Sequence, residues 1–313
     1  MTRAFVFPGQ GAQTIGMGRA LVEAYPDAKA VFDEVDEALG ESLSTLIWEG
    51  DQDELTLTQN AQPALMATSL ATLRALQAEG VALDTASYVA GHSLGEYSAL
   101  AAAGAMSVGD TAKLLRARGL AMQAAVPVGV GAMAALLGLG FDAAVQIALD
   151  ASHDQVCQAA NDNDPGQVVV SGHKEAVERA VEIAKSRGAK RAVILPVSAP
   201  FHCSLMQPAA EVMAQELASV EMNRPAMPLV ANVLAHDVSD PATIRSLLVE
   251  QVTSSVRWRE SVAWMGEQGV TEIWEIGAGK ALSGMVRRIN KAIATKAISS
   301  PDDVKAAAAS LLA

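Results

Sequence analysis

Residues Gly91-His92-Ser93-Leu94-Gly95 follow the apolar stretch Tyr88-Val89-Ala90 and precede an alanine-rich run, a placement that restricts the fold more than any other feature of the chain. A G-x-S-x-G pattern between a strand and a helix is the nucleophile elbow. The turn lifts one serine hydroxyl clear of the backbone, and the flanking glycines leave room for the crossing chain segments. The helix that begins there aims free N–H groups and the positive end of its dipole at the same place. An oxyanion formed beside Ser93 therefore meets ready donors. The competing reading is a glycine-rich turn with an exposed serine, since three fixed positions in five recur by chance.

Around this turn, strand-like apolar runs alternate with amphipathic helical ones, which implies an α/β fold with a mostly parallel sheet and helices on both faces. Ala4-Phe5-Val6-Phe7 is the first strand and runs into the loop Pro8-Gly9-Gln10-Gly11-Ala12-Gln13. Helical stretches are expected around Gly18–Leu39 and Gln62–Glu79, and Glu272–Ile276 reads as a late core strand ending at Gly277-Ala278-Gly279. From about Val126 to Val197 the rhythm changes to strand (Ala132–Leu137), helix (Asp142–Leu149), strand (Val156–Ala160), strand (Val168–Ser171), helix (Lys174–Ser186), strand (Ala192–Leu195). That βαββαβ order is the ferredoxin-like unit. It reads as an insertion, so the expected division is a core of residues 1–125 and 198–313 with a small subdomain of 126–197. A cleft between two such units is a usual place for a ligand.

At 313 residues the chain can bury a large core. A net charge of −12 repels a phosphate backbone, and 4% aromatic residues do not suit a base-stacking platform, so no nucleic-acid partner is expected. The chain opens on a strand rather than a basic and apolar leader. The longest uncharged run, between Arg118 and Asp142, contains Pro127 and five glycines and reads as a helix end followed by a buried strand rather than a membrane span. A soluble, cytoplasmic protein is expected. Cys157 and Cys203 have neither metal nor redox spacing, and a disulfide is not expected there. Gly277-Ala278-Gly279-Lys280 lacks the earlier glycine and the Ser/Thr of a phosphate loop, and Gly9-Gln10-Gly11 lacks the third glycine of a dinucleotide fingerprint. With no histidine pair or carboxylate cluster at ligand spacing, neither metal nor cofactor is expected. No coiled coil or long exposed edge strand suggests assembly, so a monomer is expected.

A serine hydroxyl is a weak nucleophile until a base takes its proton. Of the five histidines, His92 adjoins the serine, but neighbouring side chains on such a turn point apart. His153 and His173 sit among polar loop residues of the insertion, and His236 lies in a turn-rich segment. His202, in Ser198-Ala199-Pro200-Phe201-His202-Cys203, lies where the chain re-enters the large unit at the cleft. The alternative for it is a core histidine near a helix start. Cys203 is better read as a small buried thiol than as a nucleophile. Arg118 lies four residues after Leu114 and four before Met122, within an apolar helical stripe, whereas Lys113 and Arg116 point elsewhere. A guanidinium on a buried face costs several kcal/mol unless an anion pairs with it. Either a protein carboxylate or an anionic substrate meets that need, and a carboxylate fits the planar fork.

These residues resemble those of the malonyl-CoA:acyl carrier protein transacylases and the related acyltransferase domains of polyketide and fatty-acid synthases. The likeness runs over nearly the whole chain. It is carried by Phe7–Gln13, Gln62-Pro63-Ala64-Leu65, Gly91–Tyr97, Arg118-Gly119 with Met122-Gln123, Gly131–Ala135, Pro165–Val169, Pro200-Phe201-His202 and Val256-Arg257-Trp258. Ser255 stands where proline often precedes Val-Arg-Trp, and Ala278 interrupts a common Gly-Pro-Gly. The resemblance implies a hydrolase-like α/β core with a ferredoxin-like insertion. It further implies that Ser93 is the acylated nucleophile, His202 its general base, and the backbone N–H groups of Gln10 and Leu94 the oxyanion hole. Arg118 is likewise implied to be the clamp on the malonyl carboxylate. A glutamine carbonyl, matched by Gln251, orients the histidine. Leu94 and Phe201 resemble the malonyl-selective pattern.

The implied activity is ping-pong transfer of malonyl from malonyl-CoA, through a Ser93 ester, to the phosphopantetheine thiol of acyl carrier protein. Malonyl-CoA is a substrate, and no cofactor is needed. A serine esterase or acyl-thioesterase with the same Ser–His pair is the alternative. A mid-chain His202 with its third partner after it departs from the usual hydrolase order of Ser, acid, His. A non-catalytic docking module would leave the constellation idle. Carrier proteins are usually acidic, so a local basic patch must overcome the net charge. Lys280, Arg287, Arg288 and Lys291 form one candidate patch, and Lys185, Arg187, Lys190 and Arg191 another; either set is equally well read as solvated helix faces.

Overall fold

The computed structural model describes residues 2–312. Among them the strands are β1 (Thr2–Phe7), β2 (Tyr88–Gly91), β3 (Gly131–Leu137), β4 (Cys157–Asp164), β5 (Gln167–His173), β6 (Arg191–Ile194), β7 (Leu229–Val230), β8 (Asp237–Val238), β9 (Val270–Ile276) and β10 (Ala294–Ile298). The larger sheet has the order β10-β9-β1-β2-β7-β8 and is parallel except for β8. β1 sits near its centre, with Ala4, Phe5, Val6 and Phe7 all fully buried, because a parallel strand covered on both faces needs apolar side chains on both.

Parallel pairing carries the functional loops to one edge. Phe7 stands beside Gly91 in the β1–β2 register, so the loop after β1 and the turn after β2 leave the sheet together. The segment after β7 joins them, since β7 pairs with the other side of β2. The carboxyl ends of neighbouring parallel strands form the crevice that α/β proteins use for ligands.

The helices show how local chemistry sets element boundaries. The helical stretch expected around Gly18–Leu39 forms as two helices, Arg19–Ala24 and Pro26–Leu39, with Tyr25 extended between them. Proline drives the residue before it out of helical geometry and fits the first turn of the helix it begins. Helix Thr58–Ala78 contains Pro63, which has no N–H to offer the Gln59 carbonyl. Arg116 supplies the missing donor, its Nη1 lying 2.6 Å from that oxygen. Gly119 lets helix Val108–Ala124 approach closely, since a Cβ there would lie 2.4 Å from Gln59 Cα. None of the described helices is long and apolar enough to cross a membrane.

The second sheet is antiparallel, in the order β4-β5-β3-β6. Helices Phe141–Ser152 and Lys174–Ser186 cover it, and together they enclose a separate apolar cluster that includes Leu136, Ile147, Val168, Val170 and Val177. Strand order and helix placement are those of the ferredoxin-like unit. β4 runs on to Asp164, past its expected end at Ala160, because it reaches the large unit: Asp162 N donates to Val256 O, and Arg259 and Arg288 pair with Asp162 and Asp164. We propose 126 and 197 as the limits of this subdomain, since its own apolar cluster lies entirely between them.

Where the elbow leaves the sheet there is no room for side chains. A Cβ on Gly91 would lie 1.9 Å from the Gly95 carbonyl, and one on Gly95 would lie 2.2 Å from Phe7 O. Both clashes are with backbone, which cannot rotate away. Gly91→Ala is expected to lose about 3 kcal/mol or more of stability, read as a lower denaturation midpoint; an unchanged midpoint would contradict this account of the packing.

Candidate active site

Ser93 ends the turn with φ of 53°, in the left-handed region that a side chain rarely adopts. Such strain persists where the surroundings over-determine it. Here the Ser93 amide donates to Asn232 Oδ1 at 2.9 Å, while Asn232 Nδ2 donates to Gly91 O at 2.7 Å. One buried asparagine thus clasps both sides of the turn. Helix Gly95–Ala102 starts directly after it, with its N-terminus facing the serine.

His202 meets the serine from the loop before helix Gln207–Ser219, its Nε2 lying 2.7 Å from Ser93 Oγ. Its φ is 57°, a second strained position on the same contact. Nδ1 lies 2.9 Å from the backbone carbonyl of Gln251, an acceptor that places the proton on Nδ1 and leaves Nε2 to accept from the serine. Burial, followed by the nearby Arg118 charge, lowers its pKa to about 3, so the imidazole is neutral near pH 7. The other histidines lie elsewhere. His92 turns away from the serine to Asn163 Oδ1 at 2.8 Å, His173 accepts from the Val156 amide, and His153 and His236 are exposed. The Cys203 thiol is buried against Pro200 O, and burial raises its pKa.

Arg118 lies on the buried face of its helix, 1% exposed. Its Nη2 is 3.1 Å from Ser93 Oγ and 2.8 Å from Gln251 Oε1, and its Nη1 is 2.6 Å from Gln62 Oε1. All three partners are uncharged. Nε has no partner, and the face of the Tyr97 ring lies 5.6 Å away. Gln62 is held through Thr58 to the Gln10 side chain, so one hydrogen-bonded chain links the β1 loop to the guanidinium.

Ser93, His202, Arg118, Gln10, Leu94 and Gln62 share a cleft of about 410 Å³ lined further by Met122, Met133, Leu195 and Phe201. Gln10 and Leu94 sit at its floor, and neither backbone amide donates to a backbone acceptor among the described residues. The site can thus offer a hydroxyl beside a neutral imidazole, two uncommitted amides and a buried cation.

Residues 4–298 match the family model described as the acyl transferase domain. The malonyl CoA-acyl carrier protein transacylase of Bacillus subtilis (strain 168) is 48% identical over 97% of this chain and 95% of its own. The acyl-carrier-protein S-malonyltransferase of Bartonella henselae is 54% identical, covers all of both chains and superposes with a TM-score of 0.97. A malonyl-transacylase solved in complex with its type II acyl-carrier protein is 41% identical, with a TM-score of 0.96 over 99% of this chain and 100% of that one. The chain belongs to the malonyl-CoA:acyl carrier protein transacylase family. It is an enzyme, an acyltransferase.

Within that family frame, the structure adds residues to which the sequence reading assigned no role. Gln62, quoted above only as part of a motif, proves to be a ligand of Arg118; a polar residue among the apolar neighbours of its helix was the available signal. Asn232 had no signal beyond a polar residue after the apolar Leu229–Ala231. Glu96, 1% exposed beneath the elbow, accepts from Gln251 Nε2 at 2.7 Å. Gln251 itself acts through two groups, with its backbone carbonyl on His202 and its side chain between Arg118 and Glu96.

The electrostatics of the pair are testable without substrate. Because burial and the Arg118 charge both lower the His202 pKa, the wild-type imidazole is expected to stay neutral from pH 8 to pH 5 in an NMR titration. In Arg118→Ala the titration moves upward, since the largest depressing charge is gone while burial and the smaller effect of His92 remain. A wild-type His202 that protonates near its ordinary value of about 6.5 would overturn this electrostatic reading.

Proposed function

We propose that the protein moves a malonyl group from malonyl-CoA to the phosphopantetheine thiol of acyl carrier protein, by way of an ester on Ser93. Ser93 Oγ attacks the thioester carbonyl while His202 Nε2 takes its proton. The Gln10 and Leu94 amides hold the oxyanion, where each lost donor typically costs about 10²–10³-fold in rate. On collapse the C–S bond breaks, and the CoA sulfur leaves with the proton from His202. The carrier thiol then attacks the Ser93 ester, His202 takes the thiol proton and returns it to the departing serine oxygen. The Gln251 carbonyl keeps the imidazole in one tautomer but stabilises imidazolium less than a carboxylate would.

One observation carries the choice of acyl group. Arg118 is a buried cation 3.1 Å from the nucleophile, and every hydrogen-bond partner it has is neutral. A carboxylate at the far end of the acyl chain supplies the missing charge in a geometry that suits a guanidinium fork. Its arrival also offsets the charge that depresses His202, so the cognate substrate strengthens its own base.

Intact-mass spectrometry tests the acyl assignment. Malonyl-CoA is expected to add a malonyl group to wild type and none to Ser93→Ala. Arg118→Ala should lose malonyl transfer by about 100-fold or more while keeping or gaining acetyl transfer. An adduct on Ser93→Ala, or equal losses for both acyl groups, would sink the respective role. Malonate released as free acid in place of carrier loading would mark a hydrolase.

For the carrier protein, the two basic clusters converge: Lys190 and Arg288 line one surface cleft beside Gly138 and Gly166. Arg288 is already paired with Asp164, and Arg187 with Asp150. Lys190 remains the more available charge for an acidic partner. Lys190→Glu is expected to raise KM for the carrier protein about threefold or more and to leave KM for malonyl-CoA unchanged. Unaltered carrier kinetics would remove this patch.

A further inference from the structure

Below the nucleophile, a buried acid and a buried base stand on either side of a single amide. Among the described residues, Arg118 has no carboxylate in direct contact and Glu96 has no cation in direct contact. Between them, Gln251 Oε1 accepts from Arg118 Nη2 at 2.8 Å and Gln251 Nε2 donates to Glu96 Oε2 at 2.7 Å. The amide can point only this way, because Nε2 also faces Ser93 O at 3.0 Å and Asn232 Oδ1 at 3.3 Å, both acceptors. Glu96 Oε2 takes a further bond from the Asn232 amide, and its Oε1 has no partner at all. A carboxylate satisfied on one oxygen and bare on the other is poised between its charged and neutral forms.

We propose that Glu96 is the resident counter-charge of Arg118, held one amide away so that the guanidinium stays open to the acyl carboxylate, and that arrival of this carboxylate drives a proton from solvent onto Glu96. The inference rests on the malonyl reading of the site given above. Two buried anions about one cation leave one of them uncompensated, and neutralising the internal one is the cheapest relief. The malonyl carboxylate, a stronger acid that meets the guanidinium directly, keeps its charge. Burial already raises the Glu96 pKa to about 7, with Gln251, Asn232 and Arg118 opposing. The groups that face it are Arg118 from helix Val108–Ala124 and Tyr97 on its own helix; His202 lies beyond Gln251, on that residue's backbone carbonyl. The strands β1, β2 and β7 and helix Thr58–Ala78, which pack against the Glu96 helix, bring no other charge that acts on it among the described residues. Glu96 is thus a positioning residue. It never touches substrate, and it sets the charge of the pocket into which the acyl group is received.

The proton is countable. Acylation itself is proton-neutral below the thiol range, since the serine proton leaves on CoA. A single turnover of wild type with malonyl-CoA, in weak buffer with a pH indicator, is expected to take up about 0.5 proton per malonyl group at pH 7 to 7.5. Intact mass supplies the count of malonyl groups. Uptake should vanish by about pH 5.5, where Glu96 is already protonated in the free enzyme. Glu96→Gln keeps an acceptor for Gln251 without the charge, and it is expected to take up none per group loaded. No uptake in wild type overturns the proposal, as does uptake that persists in Glu96→Gln. Uptake that grows toward pH 5 belongs to His202 and overturns it without any variant. Absence of a malonyl adduct on wild type is a different failure, that of the substrate reading itself.

Discussion

The close approach where the helix after the elbow crosses the ends of two strands positions everything that follows. Gly91 and Gly95 bring backbone against backbone beside Phe7, and a single added carbon at either would lie within about 2 Å of its neighbour. Because β1 and β2 are parallel and in register at Phe7 and Gly91, the loop carrying Gln10 emerges beside the turn carrying Ser93. The Gln10 amide and the Ser93 hydroxyl are thus held by the same hydrogen-bonded ladder. A shift of either strand would separate them.

Around this contact the structure buries several polar side chains and pairs them largely with neutral groups. Asn232 closes the elbow, Gln251 joins His202 to Arg118 and Glu96, and the Gln10–Thr58–Gln62 chain reaches the guanidinium from the other side. Amides suit this work because each donates and accepts without adding charge. A carboxylate touching Arg118 directly would neutralise it, whereas amides leave its charge in place. The small sheet is tied into the same arrangement through Asn163 on His92 and the Asp162 contacts of β4, so the roof of the cleft is anchored beside the nucleophile.

Much of this was legible beforehand. The elbow announces itself because glycine and serine spacing at a strand-to-helix turn has a steric cause. The place of Arg118 on the buried face follows from its four-residue distance to Leu114 and Met122, which is helix geometry alone. The βαββαβ order of the insertion is local patterning. The split at Tyr25 is also local in origin, since Pro26 stands within the expected helical stretch and its steric rule acts on the residue just before it. β4 outran its expected end because Asp162, Asn163 and Asp164 are poor strand formers, kept extended by Arg259, His92 and Arg288 from the large unit.

The sequence by itself determined the elements and the chemical types at the site: a serine on a forced turn, a histidine at the re-entry of the chain, an arginine on an apolar stripe. These follow from interactions within a few residues, where sterics and periodicity act. Only the tertiary structure decided which neutral groups surround the arginine, that Asn232 closes the elbow, and that Glu96 sits one amide from the cation. Those partners are 25 to 155 residues apart along the chain, and their pairing depends on how sheet and helices stack in space, which no local pattern encodes.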